Sequence, residues 1–336
     1  MVKLKDIAER AGVSIMTVSK ALRDKKDIAP GTRARIQKIA ADMRYVPDLS
    51  AQLMRSRKTK LFGLIISAAT NPIYARIVMA IEERAYELGY DLLFAHSLNQ
   101  PTREEACIRR FLLRRVDGLF IVPVYRLSPS APAYEEITRL KVPAVILGQR
   151  GLFCSSFSNV ETDDMAASQA VTKHLIDLGH RRIAYFTGQP VSPSAQERYE
   201  GYRRALREAN IEVDDRLIFN AGSTIEEGEK AALQMLNEQP KATAVQAAND
   251  LVAIGAADVF LNQGISIPKD LSVAGFGNIL VSEYFRVPLT TVRQPKLRLG
   301  YAAMDLMQSL LQGGPAQSKR LRAEVIARAS TAAPAV

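Results

Sequence analysis

The pattern of apolar and polar positions along the chain changes near residue 60. After that point short apolar runs alternate with amphipathic stretches, which predicts strands alternating with helices. The predicted strands cover residues 61–67, 91–96, 118–122, 144–147, 183–186, 244–247 and 272–276. The predicted helices include residues 74–88, 103–115, 165–178 and 197–209. Such alternation is typical of parallel sheets with helices on both faces, and a span of about 270 residues suits two α/β lobes.

Before residue 60 the pattern is helical. Apolar residues at three- and four-residue spacing predict helices over residues 4–11, 15–22 and 30–43. Gly12 supplies a left-handed turn residue after the first helix, and Ser14 can cap the second. Two helices joined by a short turn containing Gly form the helix-turn-helix unit of DNA-binding proteins. Ala8, Gly12 and Val18 fill the small, turn and apolar positions that this unit needs.

Charge separates the two parts of the chain. The whole sequence has 45 Lys and Arg against 35 Asp and Glu, a net charge of +10. Residues 1–60 hold 15 of the basic and 6 of the acidic residues, which leaves 30 against 29 for the rest. A basic block can be a solvated face, or it can be the electrostatic footprint of a polyanion binder. Combined with the helix-turn-helix pattern, it favours DNA binding.

Composition narrows the class of protein further. Apolar residues make up 47% of the chain and charged residues 24%, as in a soluble globular protein. The longest apolar runs are too short to span a bilayer, and the N-terminus has no signal-peptide core. Cys107 and Cys154 have no metal or redox spacing, which fits a reducing cytosol. We therefore expect a cytoplasmic, nucleoid-associated protein without a membrane contact.

The N-terminal motif resembles the signature of the lactose-repressor (LacI/GalR) family of transcriptional regulators. Residues 4–14 (LKDIAERAGVS) and 17–22 (TVSKAL) carry the resemblance, followed by residues 36–45 and Pro47. It implies an all-α headpiece whose second helix enters the major groove of an operator half-site. It also implies a sequence-specific transcription regulator, here expected to be a repressor, whose operator affinity is controlled by a small-molecule effector.

Three residues match the positions with which the family reads bases: Ile15, Met16 and Lys20. Lys20 can donate to guanine O6 or N7, although family members more often place Arg there. Ile15 and Met16 lack hydrogen-bond donors, so they would read by apolar contact, for example with thymine methyl groups. The alternative is that both are core residues, but Val13 and Val18 already supply the apolar face.

Other polar residues of the headpiece are expected to contact phosphates and so set the register on DNA. They are Lys3, Ser14, Thr17 and Ser19. Lys3 stands where the family usually has a Thr that caps the first helix, which weakens the cap and adds a cation for phosphate.

Residues 48–55 form a two-turn helical pattern after Pro47. So short a helix is marginal in water and needs a partner, which the surrounding Lys and Arg residues indicate is nucleic acid. In the family this hinge helix orders on operator DNA, pairs with its dimer mate and wedges an apolar side chain into the minor groove. Met54 matches the wedge, flanked by Leu53 and Arg55. A plain flexible linker is the alternative.

The resemblance continues through the strands and helices and implies a periplasmic-binding-protein-like effector domain of two parallel-sheet lobes. The matching pieces include residues 71–72, 115–118, 174–184, 198–202, 249–253 and 289–295. The implied domains are a headpiece at 1–46, a hinge helix and linker at 47–60, an effector-binding and dimerisation domain at 61–332, and a tail at 333–336. Lobe one would cover residues 61–159 and 294–323, and lobe two 160–293 and 324–332.

Ligands of open α/β sheets bind at the carboxyl ends of strands, and here also between lobes. With the resemblance, this gives five candidate effector-binding residues: Tyr74, Arg198, Asn249, Asn278 and Gln294. Tyr74 can stack on a sugar ring, and Arg198 matches an Arg that holds a ligand hydroxyl or carboxylate in the family. Asn249 can equally be a helix cap, and Gln294 can equally brace a crossover.

One departure from the family concerns the effector. After the predicted strand at 272–276 the family usually has an Asp pair, one member of which binds sugar hydroxyls. This chain has Gly277 and Asn278 there, and Asn278 can replace the carboxylate only in part. We expect a sugar or sugar derivative as effector. A ligand whose own negative charge faces Arg198 and Arg126 is the alternative.

Other classes of protein fit the sequence less well. No phosphate-binding glycine fingerprint follows the first strand, and no Ser–His or Cys–His pairing is evident, so we expect no enzymatic activity, metal or cofactor. His174 and His180 are interpreted as structural, while His96 could line the cleft. A solute receptor would need a signal peptide, and an architectural DNA binder would not need a cleft.

The expected assembly is a homodimer on double-stranded, pseudo-palindromic operator DNA, because the half-sites of an operator follow protein symmetry. Leucine heptads, which would indicate a coiled-coil tetramer, do not follow Arg328.

Overall fold

A computed structural model describes residues 2–46 and 58–335 of the chain. The chain divides into two compact units, Met1–Thr59 and Lys60–Val336. We call the first the headpiece and the second the effector unit. The change in sequence pattern near residue 60 therefore coincides with the boundary between the units.

The headpiece contains three helices: α1 (Leu4–Ala11), α2 (Ile15–Ala21) and α3 (Pro30–Asp42). Ile7, Val18 and Ile36, one from each helix, are fully buried and form the centre of its core. The predicted helices are confirmed to within one residue at their carboxyl ends, where helix boundaries are least sharply defined.

The turn between α1 and α2 has the geometry that the sequence predicts. Gly12 ends α1 with φ +64°, in the left-handed region that favours glycine. Ser14 precedes α2, and its Oγ accepts a hydrogen bond from the Thr17 backbone N–H at 3.1 Å. The turn therefore fixes how α2 leaves α1.

The effector unit alternates strands with helices, as predicted. In the described chain the strands are β1 (Leu61–Ile66), β2 (Asp91–His96), β3 (Gly118–Ile121), β4 (Ala144–Leu147), β5 (Ser158–Thr162), β6 (Ile183–Thr187), β7 (Ile218–Asn220), β8 (Ala244–Ala247), β9 (Ser272–Ala274), β10 (Thr291–Arg293), β11 (Ser318–Leu321) and β12 (Glu324–Ile326). The sequence patterns missed β5, β7, β10, β11 and β12, which are short or polar.

Helices of the effector unit lie between most of these strands. They are α4 (Ala75–Glu87), α5 (Pro101–Leu113), α6 (Pro132–Arg139), α7 (Asp164–Asp177), α8 (Pro193–Glu208), α9 (Ile225–Glu238), α10 (Asp250–Asn262), α11 (Leu280–Tyr284) and α12 (Lys296–Leu311). Short 3₁₀ turns occur at Leu152–Cys154 and Asp215–Leu217.

The strands of residues 58–335 form two lobes within the effector unit. Lobe one has a six-stranded parallel sheet in the order β11-β5-β4-β3-β1-β2. Lobe two has a four-stranded parallel sheet in the order β7-β6-β8-β9, with the antiparallel pair β10-β12 beside it. Each sheet has apolar side chains on both faces, because helices cover both. The predicted fold class is confirmed.

The chain passes between the two lobes at several crossovers, and the cleft lies between the lobes. Lobe one continues through Thr162, because β5 pairs with β4 and β11. The predicted lobe boundary after residue 159 therefore falls inside a strand. The chain returns to lobe one before α12, whose Leu299, Ala303 and Met307 pack in the core of lobe one, and it reaches lobe two again at β12.

Candidate functional site

The reading surface of the headpiece lies on α2. Ile15 is 49% exposed and Met16 is 68% exposed, although both are large apolar residues. Val18 on the same helix is fully buried, and Val13 packs against the core. The interpretation of Ile15 and Met16 as core residues is therefore wrong. An exposed apolar pair on a basic helix-turn-helix is a surface suited to contact with another molecule.

Lys20, the third predicted base-reading residue, has a partner within the headpiece. Its Nζ lies 2.6 Å from Asp27 Oδ2, and both side chains are partly exposed. The hydrogen bond from Lys20 holds the pKa of Asp27 below its usual range. This pair joins residues seven positions apart across the end of α2, and no local sequence pattern predicts it.

The predicted phosphate contacts lie at helix ends. Ser14 and Thr17 share a hydrogen bond between their hydroxyls at 2.9 Å, and Ser19 Oγ accepts from Arg23 at 2.9 Å. Lys3 precedes α1, and its backbone N–H donates to Asp6 Oδ2 at 2.8 Å. The Lys3 side chain itself makes no capping hydrogen bond to α1, as expected where Lys replaces the Thr usual in the family.

The predicted minor-groove residues of the hinge, Leu53, Met54 and Arg55, lie outside the described residues.

A cavity of about 470 Å³ opens between the two lobes of the effector unit. Its size falls within the roughly 300–1,000 Å³ range of small-molecule sites. It lies at the carboxyl ends of β1, β3 and β4 in lobe one and of β6 and β8 in lobe two. The residues at those strand ends are Ser67, Val122, Val124, Tyr125, Leu147, Gln149, Gly188, Gln189, Ala248 and Asn249.

Arg198 lines this cavity from α8, as predicted. Its Nη1 donates to Ala248 O at 2.6 Å, and its Nη2 lies 3.2 Å from Asp164 Oδ2. The guanidinium also lies over the Phe276 ring, 3.8 Å from the ring centroid. Two hydrogen bonds and a stacked ring hold the guanidinium in one orientation.

Asp164, at the start of α7, is a site residue that the sequence analysis missed. It is almost fully buried, and it lines the same cavity. Burial raises the pKa of Asp164 to about 6, although Arg198 opposes the shift. The carboxyl group is therefore mostly ionised at neutral pH. Asp164 thus supplies a carboxylate acceptor in the cavity. The segment after β9, where the family usually has an Asp pair, supplies none.

Three unpartnered buried polar atoms belong to residues that line the cavity. Among the described residues, Asp164 Oδ1, Arg198 Nε and Gln149 Nε2 are buried and have no hydrogen-bond partner. Buried polar groups without partners are rare in proteins, and a ligand or water commonly satisfies them. All three atoms belong to residues that line this cavity, so one acceptor and two donors lie beside it without a partner.

Three other predicted effector residues also line the cavity: Tyr74, Asn249 and Gln294. Burial raises the pKa of the Tyr74 hydroxyl. Asn249 Oδ1 accepts from the Val252 N–H at 2.9 Å, so this residue caps α10 while it lines the cavity. Gln294 Nε2 donates to Thr162 Oγ1 at 3.1 Å, which ties the crossover before α12 to the end of β5. Both alternatives raised for Asn249 and Gln294 are therefore observed as contacts.

Asn278, the fifth candidate effector residue, does not line the cavity. Its Oδ1 accepts from Arg328 Nη2 at 2.7 Å, and its backbone carbonyl accepts from Lys296 Nζ at 3.0 Å. Asn278 has φ +49°, so a tight turn directs it toward Arg328. Lys296, which donates to Asn278, itself lines the cavity. Burial lowers the pKa of Lys296 to about 8.

Arg126, the other suggested partner of an acidic ligand, is already paired. It makes ion pairs with Glu104 and Glu105, and its guanidinium lies 4.8 Å from the Phe153 ring centroid. It does not line the cavity. Arg198 is likewise paired with Asp164, so neither Arg offers an unpaired positive charge to a ligand.

The histidines interpreted as structural make structural contacts. His180 is buried and contacts Thr243, Ser272 and the carbonyl of Ala332, and His174 contacts Thr331. These contacts hold the C-terminal segment against lobe two. His96 does not line the cavity, so the suggestion that it faces the cleft is wrong.

Within residues 2–46 and 58–335, none of the helices is long and apolar enough to cross a membrane. Within the same residues, no group of three or more His, Cys, Asp or Glu side chains is arranged to hold a metal ion.

Comparisons with known proteins agree with this architecture. Residues 3–48 match the model of bacterial regulatory proteins of the lacI family, and residues 172–331 match a periplasmic binding protein-like domain. The HTH-type transcriptional repressor PurR of Mannheimia succiniciproducens is 30% identical over 312 residues, 91% of each protein.

Two solved structures are similar over almost the whole chain. The lac repressor dimer bound to operator and the anti-inducer ONPF has a TM-score of 0.86 at 27% identity, and the match covers 99% of both chains. The complex of the transcriptional regulator CelR with cellobiose has a TM-score of 0.75 at 27% identity, over 98% of this chain and 100% of that one.

A basic helix-turn-helix unit followed by a two-lobed α/β unit with a polar cleft defines a DNA-binding transcriptional regulator. The chain belongs to the lacI family of bacterial regulatory proteins. Its relatives in that family are regulators rather than enzymes, as the sequence analysis expected.

Proposed function

We propose that this protein is a repressor whose affinity for operator DNA is controlled by a neutral, sugar-like effector bound between the lobes. The observation that carries the proposal is the arrangement at Arg198 and Asp164. Together with Gln149, these residues line a cavity of about 470 Å³ and carry buried polar atoms without a partner beside it. The protein acts as a cytoplasmic homodimer, by analogy with the operator-bound lac repressor dimer.

The DNA-contacting residues of the proposal follow from the headpiece. Ile15, Met16 and Lys20 contact base edges in the major groove, since one short helix exposes Ile15 and Met16 and leaves Lys20 partly exposed. Lys3, Ser14, Thr17 and Ser19 contact phosphates and fix the register. In the hinge, Leu53, Met54 and Arg55 contact the minor groove, with Met54 as the wedge.

Pairing of charges in the cleft favours a neutral effector. Arg198 already faces the carboxylate of Asp164, and Arg126 already faces two glutamates. An acidic ligand would therefore meet no unpaired cation at Arg198 or Arg126, and it would be repelled by Asp164. Lys296 also lines the cavity, but its ammonium donates to the backbone carbonyls of Gly277 and Asn278. A hydroxyl-rich ligand can donate to Asp164 Oδ1 and accept from Arg198 Nε, while Tyr74 packs on its ring.

Control of DNA binding by the effector requires a difference in affinity between two lobe arrangements. Arg198 and Asp164 belong to lobe two, whereas Gln149 and Tyr74 belong to lobe one. A ligand that contacts all four residues binds more tightly when the lobes approach. It therefore biases the pairing of the two hinge helices in the dimer.

Two measurements test the proposal. Selection from random double-stranded DNA should yield a pseudo-palindromic site, and thermal unfolding should shift upward with neutral sugars. The Asp164→Asn variant keeps the side-chain shape but loses the carboxylate. It should therefore lose most of the rise in unfolding temperature that neutral sugars cause. Stabilisation by sugar acids in place of neutral sugars would contradict the effector assignment. Failure to enrich any sequence would contradict the proposal that the protein binds a specific operator.

A further inference from the structure

Asp27 is an acidic residue beside the proposed base-reading Lys20. The two side chains approach to 2.6 Å between Lys20 Nζ and Asp27 Oδ2. They lie in the most basic part of the chain, where 15 Lys and Arg face 6 Asp and Glu over residues 1–60. Because DNA phosphates repel a carboxylate, Asp27 at this place is a cost to non-specific affinity.

The loop that carries Asp27 is fixed by hydrogen bonds. Arg33, on α3, donates from Nη2 to Lys25 O at 2.9 Å and to Ile28 O at 3.1 Å. The Lys25 N–H donates to Lys20 O at 3.1 Å. These contacts hold the loop against the end of α2. Asp27 is therefore presented to Lys20 by the fold of the headpiece.

The pair changes what Lys20 can do on DNA. A lysine ammonium has three N–H donors on a flexible stem, so alone it can turn toward any phosphate within reach. With one donor given to Asp27, two remain for guanine O6 or N7. The Lys20–Asp27 pair has no net charge, because the hydrogen bond lowers the pKa of Asp27 and keeps it ionised.

We propose that Asp27 is a specificity-determining residue, which holds Lys20 toward the bases and keeps it from neutralising a phosphate. Asp27 thereby reduces affinity for unrelated DNA more than it reduces affinity for the operator. This inference rests on the proposed function, since it requires that α2 faces operator DNA.

Asp24 provides a matched control in the same loop. Its Oδ1 accepts from Gln37 Nε2 at 2.8 Å, so it is not the partner of Lys20. Asp24 has φ +51°, a conformation that Asn also adopts readily. Asp24→Asn therefore removes the same charge as Asp27→Asn and leaves the Lys20–Asp27 pair in place.

The test compares full-length wild-type, Asp27→Asn and Asp24→Asn proteins on two duplexes over a range of salt concentrations. One duplex carries the site that the wild type selects from random DNA, and the other carries a scrambled sequence. Asp27→Asn should bind the scrambled duplex roughly 3- to 10-fold more tightly. Its plot of log affinity against log salt should steepen by about 0.9, the value for one additional phosphate contact. Asp24→Asn should leave that slope unchanged.

A second comparison assigns the effect to Lys20. In a Lys20→Met background, Asp27→Asn should no longer steepen the salt dependence. Selection with Asp27→Asn should also relax base preference at the same position that Lys20→Met affects. An equal slope change with and without Lys20, or with Asp24→Asn, would overturn the inference while leaving the proposed function intact. If the wild type selects no sequence at all, the proposed function fails and the inference fails with it.

Discussion

The headpiece and the effector unit place their functional side chains in opposite environments. In the headpiece, Ile15, Met16 and Lys20 face solvent, and a small apolar core lies behind them. In the effector unit, Asp164 and Arg198 are largely buried between two sheets. The headpiece therefore presents its chemistry outward, whereas the cleft encloses it.

This difference in burial determines where a mutation changes function and stability together. Substitution of an exposed side chain usually changes stability by less than about 0.5 kcal/mol, so it can alter DNA binding alone. A buried charge must be paired and hydrogen-bonded, so removing one member of a pair strands the other. We therefore expect mutations in the cleft to change folding and response together.

The largest expected effect tests the buried pair. Arg198→Ala should lower the free energy of unfolding by about 3–5 kcal/mol, because it leaves Asp164 buried without its cation. It should also abolish stabilisation by neutral sugars. Urea unfolding of the full-length protein measures the first effect, and thermal unfolding with added sugars measures the second.

Arg203→Ala is the control for that comparison. Arg203 lies on the same helix as Arg198, but it is 43% exposed and pairs with Glu200 on the surface. Its loss should cost less than about 1 kcal/mol. Equal losses for the two variants would show that burial does not distinguish the cleft from the surface.

The pH dependence of stability should differ between the units. Burial raises the pKa of Glu104 in lobe one to about 7, and that of Asp164 to about 6. The folded state then binds more protons than the unfolded state between about pH 4 and 7, so stability falls as pH rises through this window. In the headpiece the pKa of Asp27 is lowered, so its contribution is lost as pH falls.

Glu104→Gln should flatten the loss of stability with rising pH. Gln can still accept from the Val124 N–H and the Tyr134 hydroxyl, as Glu104 does at 2.6 and 2.9 Å. At 1.36 kcal/mol per pKa unit, the change from pH 4.5 to 7 should shrink by up to about 3 kcal/mol. Urea unfolding at several pH values measures it. An unchanged pH profile would show that Glu104 is not the group that titrates.

The same contrast explains how much the sequence could predict. The headpiece could be predicted almost completely, because Ala8, Gly12 and Val18 act through local spacing that a sequence displays directly. The exposure of Ile15 and Met16 could be predicted by elimination, because other residues already supply the apolar face of the core. The Lys20–Asp27 pair was missed, because its loop is fixed by Arg33 from another helix.

The effector unit could be predicted only in outline. Strand β5 is polar, with Ser158, Asn159 and Thr162 buried in it, so no apolar run marks it. Asn159 Nδ2 donates there to Gly148 O, a partner that the sequence does not display. Because β5 was missed, Asp164 just after it was not recognised as a residue at a strand end. A tandem Asp163-Asp164 before a helical pattern was the available signal.

The contacts of Asn278 could not be predicted for a related reason. Its place after a strand predicted a pocket position, but its partner Arg328 lies 50 residues further along the chain. Contacts at such separation depend on how the crossovers bring β9, β10 and β12 together. Local pattern alone could not show that the Asn278 side chain pairs with Arg328, although its neighbours Phe276 and Ile279 line the cavity.

The smallest expected effect tests whether the exposed surface of the headpiece can be changed without disturbing its core. Lys3 has extended backbone angles, φ −112° and ψ 161°, which suit a Ser cap, and Asp6 already accepts from its N–H. Lys3→Ser should complete a capping box and stabilise α1 by about 0.5–1 kcal/mol. It should also reduce the salt dependence of DNA binding by about 0.9, if Lys3 contacts one phosphate.

Hydrogen exchange of the amides of residues 4–11 in the full-length protein measures the gain, because it reports local opening. Lys5→Ser is the control, since Lys5 is inside α1, is exposed and pairs only loosely with Glu9 at 3.7 Å. Serine there is a poorer helix former than lysine, so protection should fall. If both variants lose protection, the N-terminus of α1 is held by something other than its cap. The separation of surface chemistry from stability would then not hold at this end of the headpiece.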